Sequence, residues 1–175
     1  VTEPVDLRLA VPTPDDMEDL GRRLAAVLRP GDLILLTGRL GAGKTTLTRG
    51  IGEGLGVRGP VTSPTFVLAR THPSTAGGPP LVHVDAYRLG SAVELDDLDI
   101  DFARSVVVME WGAGLVEGLA DSWLDIRIER PEGAHAETPL SEEGDDLVEQ
   151  RTVLIAAVGE RWAGIASALG ASSGG

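Results

Sequence analysis

The chain predicts an α/β fold, a mixed and mainly parallel sheet flanked by helices, and three features predict it. Leu33–Leu36 is a continuous apolar run, as in a strand buried on both faces of a sheet. A glycine-rich turn follows it directly, and then a helix with Leu47, Ile51 and Leu55 at four-residue spacing. Further short apolar runs at Leu81–Ala86, Ser105–Met109, Trp123–Ile128 and Arg151–Ala157 supply more strands.

Taken in order, Val5–Leu9 alternates apolar and polar residues, as a half-buried strand does. Thr13-Pro14-Asp15-Asp16 then offers an N-cap, a proline at the first helical position and early acidic side chains. Met17, Leu20, Leu24 and Leu28 recur at helical spacing behind it, and Pro30-Gly31 stops that helix. Gly56 is the expected end of the second helix. A short strand is expected over Phe66–Arg70, and His72–Pro80 reads as an exposed loop rich in Pro, Gly, Ser and Thr. A closing helix from about Gly159 to Leu169 would put Trp162, Ile165 and Leu169 on one face.

A length of 175 residues fits one domain, expected over residues 1–170, with 131–150 as an acidic surface insertion and 171–175 as a disordered tail. There is no cysteine, which excludes disulfide scaffolds, Cys-ligated zinc, Fe–S clusters and thiol nucleophiles. With only three histidines, a multi-His metal site is not expected. No apolar run approaches the roughly 20 residues needed to span a bilayer, and no signal peptide precedes the first strand, so a cytoplasmic protein with no membrane association is expected. The net charge is −12, and seven acidic residues fall between Pro131 and Gln150 with no Lys or Arg among them. No basic stripe stands out, so this chain alone is not expected to grip nucleic acid electrostatically.

Gly38-Arg39-Leu40-Gly41-Ala42-Gly43-Lys44-Thr45 satisfies G-x-x-x-x-G-K-[ST], the phosphate-binding loop pattern. Glycines let successive backbone N–H groups turn inward around phosphate oxygens, and the following helix adds its N-terminal dipole. Gly41, Ala42, Gly43, Lys44, Thr45 and Thr46 are the candidate nucleotide contacts, with Lys44 on the β- and γ-phosphates and Thr45 on Mg²⁺. Glycine is abundant, at 23 residues, so glycines alone decide little. The context decides: a strand precedes the loop, a helix follows, and the only lysine among 15 basic residues occupies the lysine position. The fold expectation thereby sharpens to a P-loop NTPase-like sheet.

Such an enzyme also needs an acidic partner for the metal and a group that orients the attacking water. Val106–Glu110 and Leu81–Asp85 are apolar runs that each end in an acid, and ligands in open α/β sheets bind beyond the carboxyl ends of the strands. Either acid could line the site or be an ordinary exposed strand-end carboxylate. Thr62, Ser63 and Thr65 follow the loop helix, where switch loops lie, or are polar residues around a proline. His83 alternates with Asp85 and Tyr87, so all three should share a strand face, although His83 also fits an ordinary core histidine. Trp111 would stack on a base or a partner, or simply be packed. The guanine-reading Asn-Lys-x-Asp is absent, which favours adenine and hence ATP.

Gly38–Thr46, Thr62-Ser63-Pro64-Thr65-Phe66, His83-Val84-Asp85-Ala86-Tyr87-Arg88-Leu89, Glu94-Leu95 and Glu110-Trp111 together resemble the TsaE (YjeE) family of bacterial P-loop ATPases in order and spacing. The likeness covers Val11–Ile128, about two-thirds of the chain. It implies Thr45 and Glu110 as Mg²⁺ ligands, Asp85 as the second essential carboxylate near the γ-phosphate, and residues 62–65 as a switch-like loop. It also implies a weak ATPase that works with TsaD and TsaB, meets tRNA only through that complex, and serves threonylcarbamoyladenosine formation at tRNA position 37. Two departures from the family pattern stand out. Arg39 replaces an acidic or amide residue, and Gly112-Ala113-Gly114 replaces a charged pair after Trp111. The alternative is a small-molecule or nucleotide kinase, whose lid arginines have no counterpart in the acidic insertion. A third reading is a nucleotide-dependent binding switch, indifferent to the loss of Asp85 or Glu110.

Overall fold

A computed structural model describes residues 5–39, 41–59, 61, 69–88, 97–112, 114–116, 120–130, 150–165 and 169. Seven strands form one sheet: β1 (Val5–Val11), β2 (Leu33–Gly38), β3 (Ala69–His72), β4 (Leu81–Asp85), β5 (Val106–Glu110), β6 (Trp123–Glu129) and β7 (Arg151–Val158). Their order is β1-β7-β6-β2-β5-β4-β3. The four central strands β6, β2, β5 and β4 run parallel, and β1, β7 and β3 complete the edges antiparallel. This is the mixed α/β sheet expected, with its parallel part at the centre.

Burial follows position in the sheet. All of β5 is buried, and β2 nearly so, because both faces of the parallel centre are covered. In β6 and β7 only alternate residues are buried, among them Leu124, Ile126 and Ile128, and Val153, Ile155 and Ala157. These pack on one face together with helices α1 (Pro14–Ala25) and α2 (Lys44–Leu55). Leu33, Leu35, Val82, Val84, Val107 and Met109 face the other way, against Leu98, Ile100, Phe102 and Val116.

The Thr13 side chain caps α1, accepting the Asp16 N–H at 3.1 Å. The helix ends earlier than its apolar spacing predicts. After Ala25 the chain tightens into i+3 bonds, Val27 N–H to the Leu24 carbonyl and Leu28 N–H to that of Ala25, so Leu28 is buried from a turn. Gly56 ends α2 in the left-handed conformation, as expected.

The closing helix is not continuous. A 3-10 turn covers Glu160–Trp162, and Gly164 at φ +84 breaks the path before the Leu169 N–H bonds to the Ile165 carbonyl. Trp162, Ile165 and Leu169 are nevertheless buried together, which is why the spacing read as one helix face. Of the strand expected over Phe66–Arg70, residues 66–68 lie outside the described residues, and β3 runs on to His72. Residues 131–149 and 170–175 also lie outside them.

Candidate functional site

The two helices begin in opposite ways. α1 has a side-chain cap and Asp15 and Asp16 in its first turn, so its free N–H groups and positive dipole end are satisfied locally. α2 begins at Gly43 with no side-chain cap and no acid in its first turn. Lys44, Thr45 and Thr46 follow, each partly buried. In the loop before it, Gly41 has φ +78 and Gly43 φ +114, left-handed conformations that favour glycine. Ala42 is buried, and its N–H closes a turn on the Arg39 carbonyl at 3.0 Å. A Cβ on Gly38 would press on the Ile128 carbonyl at 3.1 Å and on the Ala42 side chain at 3.2 Å. An uncapped helix start behind a glycine loop fits an anion such as a phosphate chain.

The acids come from neighbouring parallel strands. Asp85 ends β4 directly opposite Glu110, which ends β5. Leu81 and Val106 face α2, so by the two-residue period His83, Asp85, Val108 and Glu110 lie on that face as well. His83 is fully buried, with Nε2 3.0 Å from Glu110 Oε2. Lys44 Nζ lies 3.5 Å from the other oxygen, Oε1. Burial works to raise the Glu110 pKa, but the His83 hydrogen bond and the charges of His83 and Lys44 outweigh it, and the carboxyl is held below its ordinary value. Glu110 is therefore an anion near neutral pH, and an ionised carboxylate only accepts, so His83 donates from Nε2. Asp85 is half-buried, and its Oδ1 accepts the Tyr87 N–H at 3.1 Å.

Trp111 follows Glu110 in a left-handed conformation, φ +61. For a bulky residue that costs on the order of 1–3 kcal/mol and persists only where the surroundings enforce it. Its N–H bonds to the Leu36 carbonyl at 3.3 Å. Its ring lies 4.5 Å from Lys44 Nζ, a cation–π distance. Tyr87 meets it edge-on, with ring centroids 5.9 Å apart. Lys44 thus has a carboxylate and an aromatic ring beside it.

The structure brings together Lys44, Glu110, His83 and Trp111, with Asp85 in register beside Glu110 and Tyr87 against Trp111. Tyr87 does not share the strand face of His83 and Asp85. β4 ends at Asp85, and Tyr87 sits in a 3-10 turn, Ala86–Arg88, largely exposed. Thr62, Ser63 and Thr65 lie outside the described residues, as does the Arg88 side chain. Arg39 is exposed. Among the described residues no three His, Asp or Glu side chains converge on one point. A Mg²⁺ ion that takes its other oxygens from phosphates and water requires no such cage.

Sequence reasoning missed one residue at the loop. Arg151, read only as the start of a strand, donates to the Ala42 carbonyl at 3.2 Å and the Gly41 carbonyl at 3.4 Å. Nothing local signals this, because more than 100 residues separate the partners.

Comparison with known proteins places the chain in a family. A model of the family described as "Threonylcarbamoyl adenosine biosynthesis protein TsaE" matches residues 11–138. The chain is 58% identical over 150 residues to the tRNA threonylcarbamoyladenosine biosynthesis protein TsaE of Streptomyces coelicolor, covering 84% of this chain and 94% of that protein. It is 36% identical over 152 residues to the protein of the same name from Bacillus subtilis, covering 85% and 84%. The crystal structure of Bacillus subtilis YdiB superimposes with a TM-score of 0.71 at 31% identity, over 98% of both chains. The matched span holds the glycine loop, both strand-end acids and Trp111, and the chain belongs to the TsaE family.

Proposed function

We propose that this chain is a Mg²⁺-dependent ATPase that acts in tRNA threonylcarbamoyladenosine biosynthesis together with TsaD and TsaB. The observation that carries the reading is the meeting of Lys44 and Glu110, 3.5 Å apart, where the uncapped start of α2 adjoins the carboxyl ends of β4 and β5. The names of the relatives support the pathway, and the geometry supports the ATPase.

Each side chain has a role in this reading. The amides of Gly41, Gly43, Lys44, Thr45 and Thr46 and the α2 dipole hold the phosphates, the Ala42 N–H being used on the Arg39 carbonyl. Lys44 leaves Glu110 and the Trp111 ring to meet the β- and γ-phosphates. Thr45 and Glu110 would hold Mg²⁺, which when bound neutralises charge on the transferring phosphoryl group. His83 keeps one Glu110 oxygen engaged, so the other, beside Lys44, is the one that would meet the metal. Asp85, in register with Glu110, orients the attacking water. Thr62, Ser63 and Thr65 serve as a switch-like loop that reads the nucleotide. A net charge of −12 fits a chain that meets tRNA only through partners that hold it.

The reading is tested by ATP hydrolysis with the chain alone and with TsaD and TsaB added. Slow turnover that rises with the partners is expected. Turnover indifferent to them would return the kinase reading, and a screen of phosphate acceptors would follow. Glu110→Ala is expected to reduce the Mg²⁺-dependent gain in ATP affinity by about tenfold, the scale of one charge-assisted contact. In EDTA its affinity should not fall, because a carboxylate near phosphates repels them. Titration of nucleotide under both conditions checks this, and equal weakening in both would remove Glu110 from the metal.

A further inference from the structure

Arg151 opens β7, where the chain returns from the acidic segment 131–150. Side chains alternate along a strand, and Val153, Ile155 and Ala157 are buried on the face that carries α1 and α2. Arg151 continues that row to its rim, opposite Val11 of β1. Its guanidinium there meets the glycine loop from outside: Nε donates to the Ala42 carbonyl at 3.2 Å and a terminal nitrogen to the Gly41 carbonyl at 3.4 Å.

A trans peptide is planar, so a carbonyl and the N–H that follows it point opposite ways. Holding the Gly41 and Ala42 carbonyls toward Arg151 therefore turns the Ala42 and Gly43 N–H groups away from it. The Ala42 N–H is used in the turn onto Arg39. Gly41 and Gly43 occupy left-handed conformations that glycine enters and leaves readily, so their own chemistry does not fix the loop's shape. A planar guanidinium presents its donors in a rigid fork that holds two successive carbonyls in fixed geometry, whereas an ammonium is a point donor on a flexible stem.

We infer that Arg151 is a positioning residue for phosphate binding: it braces the outer side of the loop so that the Gly43 amide faces the phosphate chain. The inference rests on the nucleotide-binding reading of the loop. It assigns Arg151 a task different from that of Lys44, since the guanidinium holds backbone carbonyls rather than phosphate. It also couples the end of the acidic segment to the nucleotide site through one side chain.

The test uses the full chain with Arg151→Ala and Arg151→Lys. ATP affinity is measured by calorimetry, and amide hydrogen exchange across Gly41–Thr45 is measured without nucleotide. Arg151→Ala should bind ATP about tenfold more weakly and exchange faster in the loop, with the melting temperature of the free protein little changed. Arg151→Lys should recover part of the affinity. Unchanged affinity and unchanged exchange would overturn the brace. So would a fall in melting temperature large enough to account for the weaker binding, with the lysine variant no better than alanine. Failure of the unsubstituted chain to bind ATP would instead overturn the nucleotide reading, and loop exchange would then decide the brace alone.

Discussion

Lys44→Ala is expected to abolish ATP turnover and to weaken ATP binding by about 30- to 100-fold. The loop offers phosphate a set of neutral amides, and Lys44 is the cation placed at the start of α2. Removing one charge-assisted contact costs roughly 1.5–3 kcal/mol, and in the proposed reading the lost donor also carries the charge that meets the γ-phosphate. The loss is measurable without turnover. Unsubstituted protein at ATP 100-fold above Kd gains about 2.7 kcal/mol of stability, while the variant at the same concentration should gain only about 0.4–0.9 kcal/mol. A second effect falls on Glu110. With Lys44 gone, one of the two groups that offset its burial is lost, so its pKa should rise toward the ordinary range. The sign is fixed: a carboxylate held low stabilises the fold above its unfolded pKa and loses that contribution as pH falls. The variant should therefore show a weaker loss of stability on acidification through that range. Lys44→Arg should not restore turnover, because a planar guanidinium is not interchangeable with a compact ammonium. Normal ATP turnover in Lys44→Ala would remove the phosphates from this loop.

What the sequence made legible was local. The strand at Leu33–Leu36, the glycine turn and the helix stop at Gly56 are each read from neighbouring residues, and each lies where expected. Asp85 and Glu110 could be read as strand-end acids, because parallel strands bring their carboxyl ends to one edge. What stayed hidden depends on register and topology. The His83–Glu110 bond exists only because β4 pairs with β5 at this register. Arg151 reaches the loop only because β7 inserts between β1 and β6. Trp111 read as either packed or stacking, and its left-handed backbone, which sets the ring by Lys44, leaves no trace in composition. The glycines of α2 were hidden in another way: in a chain with 23 glycines they read as abundance, and their use appears only when α1 is laid beside them.

Gly50→Ala is expected to lower stability by about 3 kcal/mol, a fall of roughly 6–12 °C in melting temperature for a chain of this size. A Cβ on Gly50 would overlap the Glu18 backbone carbonyl, and one on Gly21 would overlap that of Leu47. α1 and α2 therefore meet backbone to backbone, and neither side can yield by turning a side chain. Alanine gains about 1 kcal/mol in helix propensity over glycine, so the observed loss is net of that gain. Neighbouring positions rank the cause. Gly52 faces the Val61 and Val57 side-chain tips, which can shift by a fraction of an ångström, so Gly52→Ala should cost less. Arg49→Ala removes only a pair between the exposed Arg49 and the partly buried Glu18, at 3.5 Å, and should cost under about 1 kcal/mol. The effect should extend to the site, because α2 starts at Lys44, less than two turns before Gly50. A helix pushed off α1 carries Lys44 and Thr45 away from Glu110, so Gly50→Ala should also weaken ATP binding at temperatures where it remains folded. Gly52→Ala, which leaves the α1 contact alone, should weaken it less. Equal melting temperatures for Gly50→Ala and Arg49→Ala would mean that the helices do not meet at Gly50, and that the loop owes its position to the sheet alone.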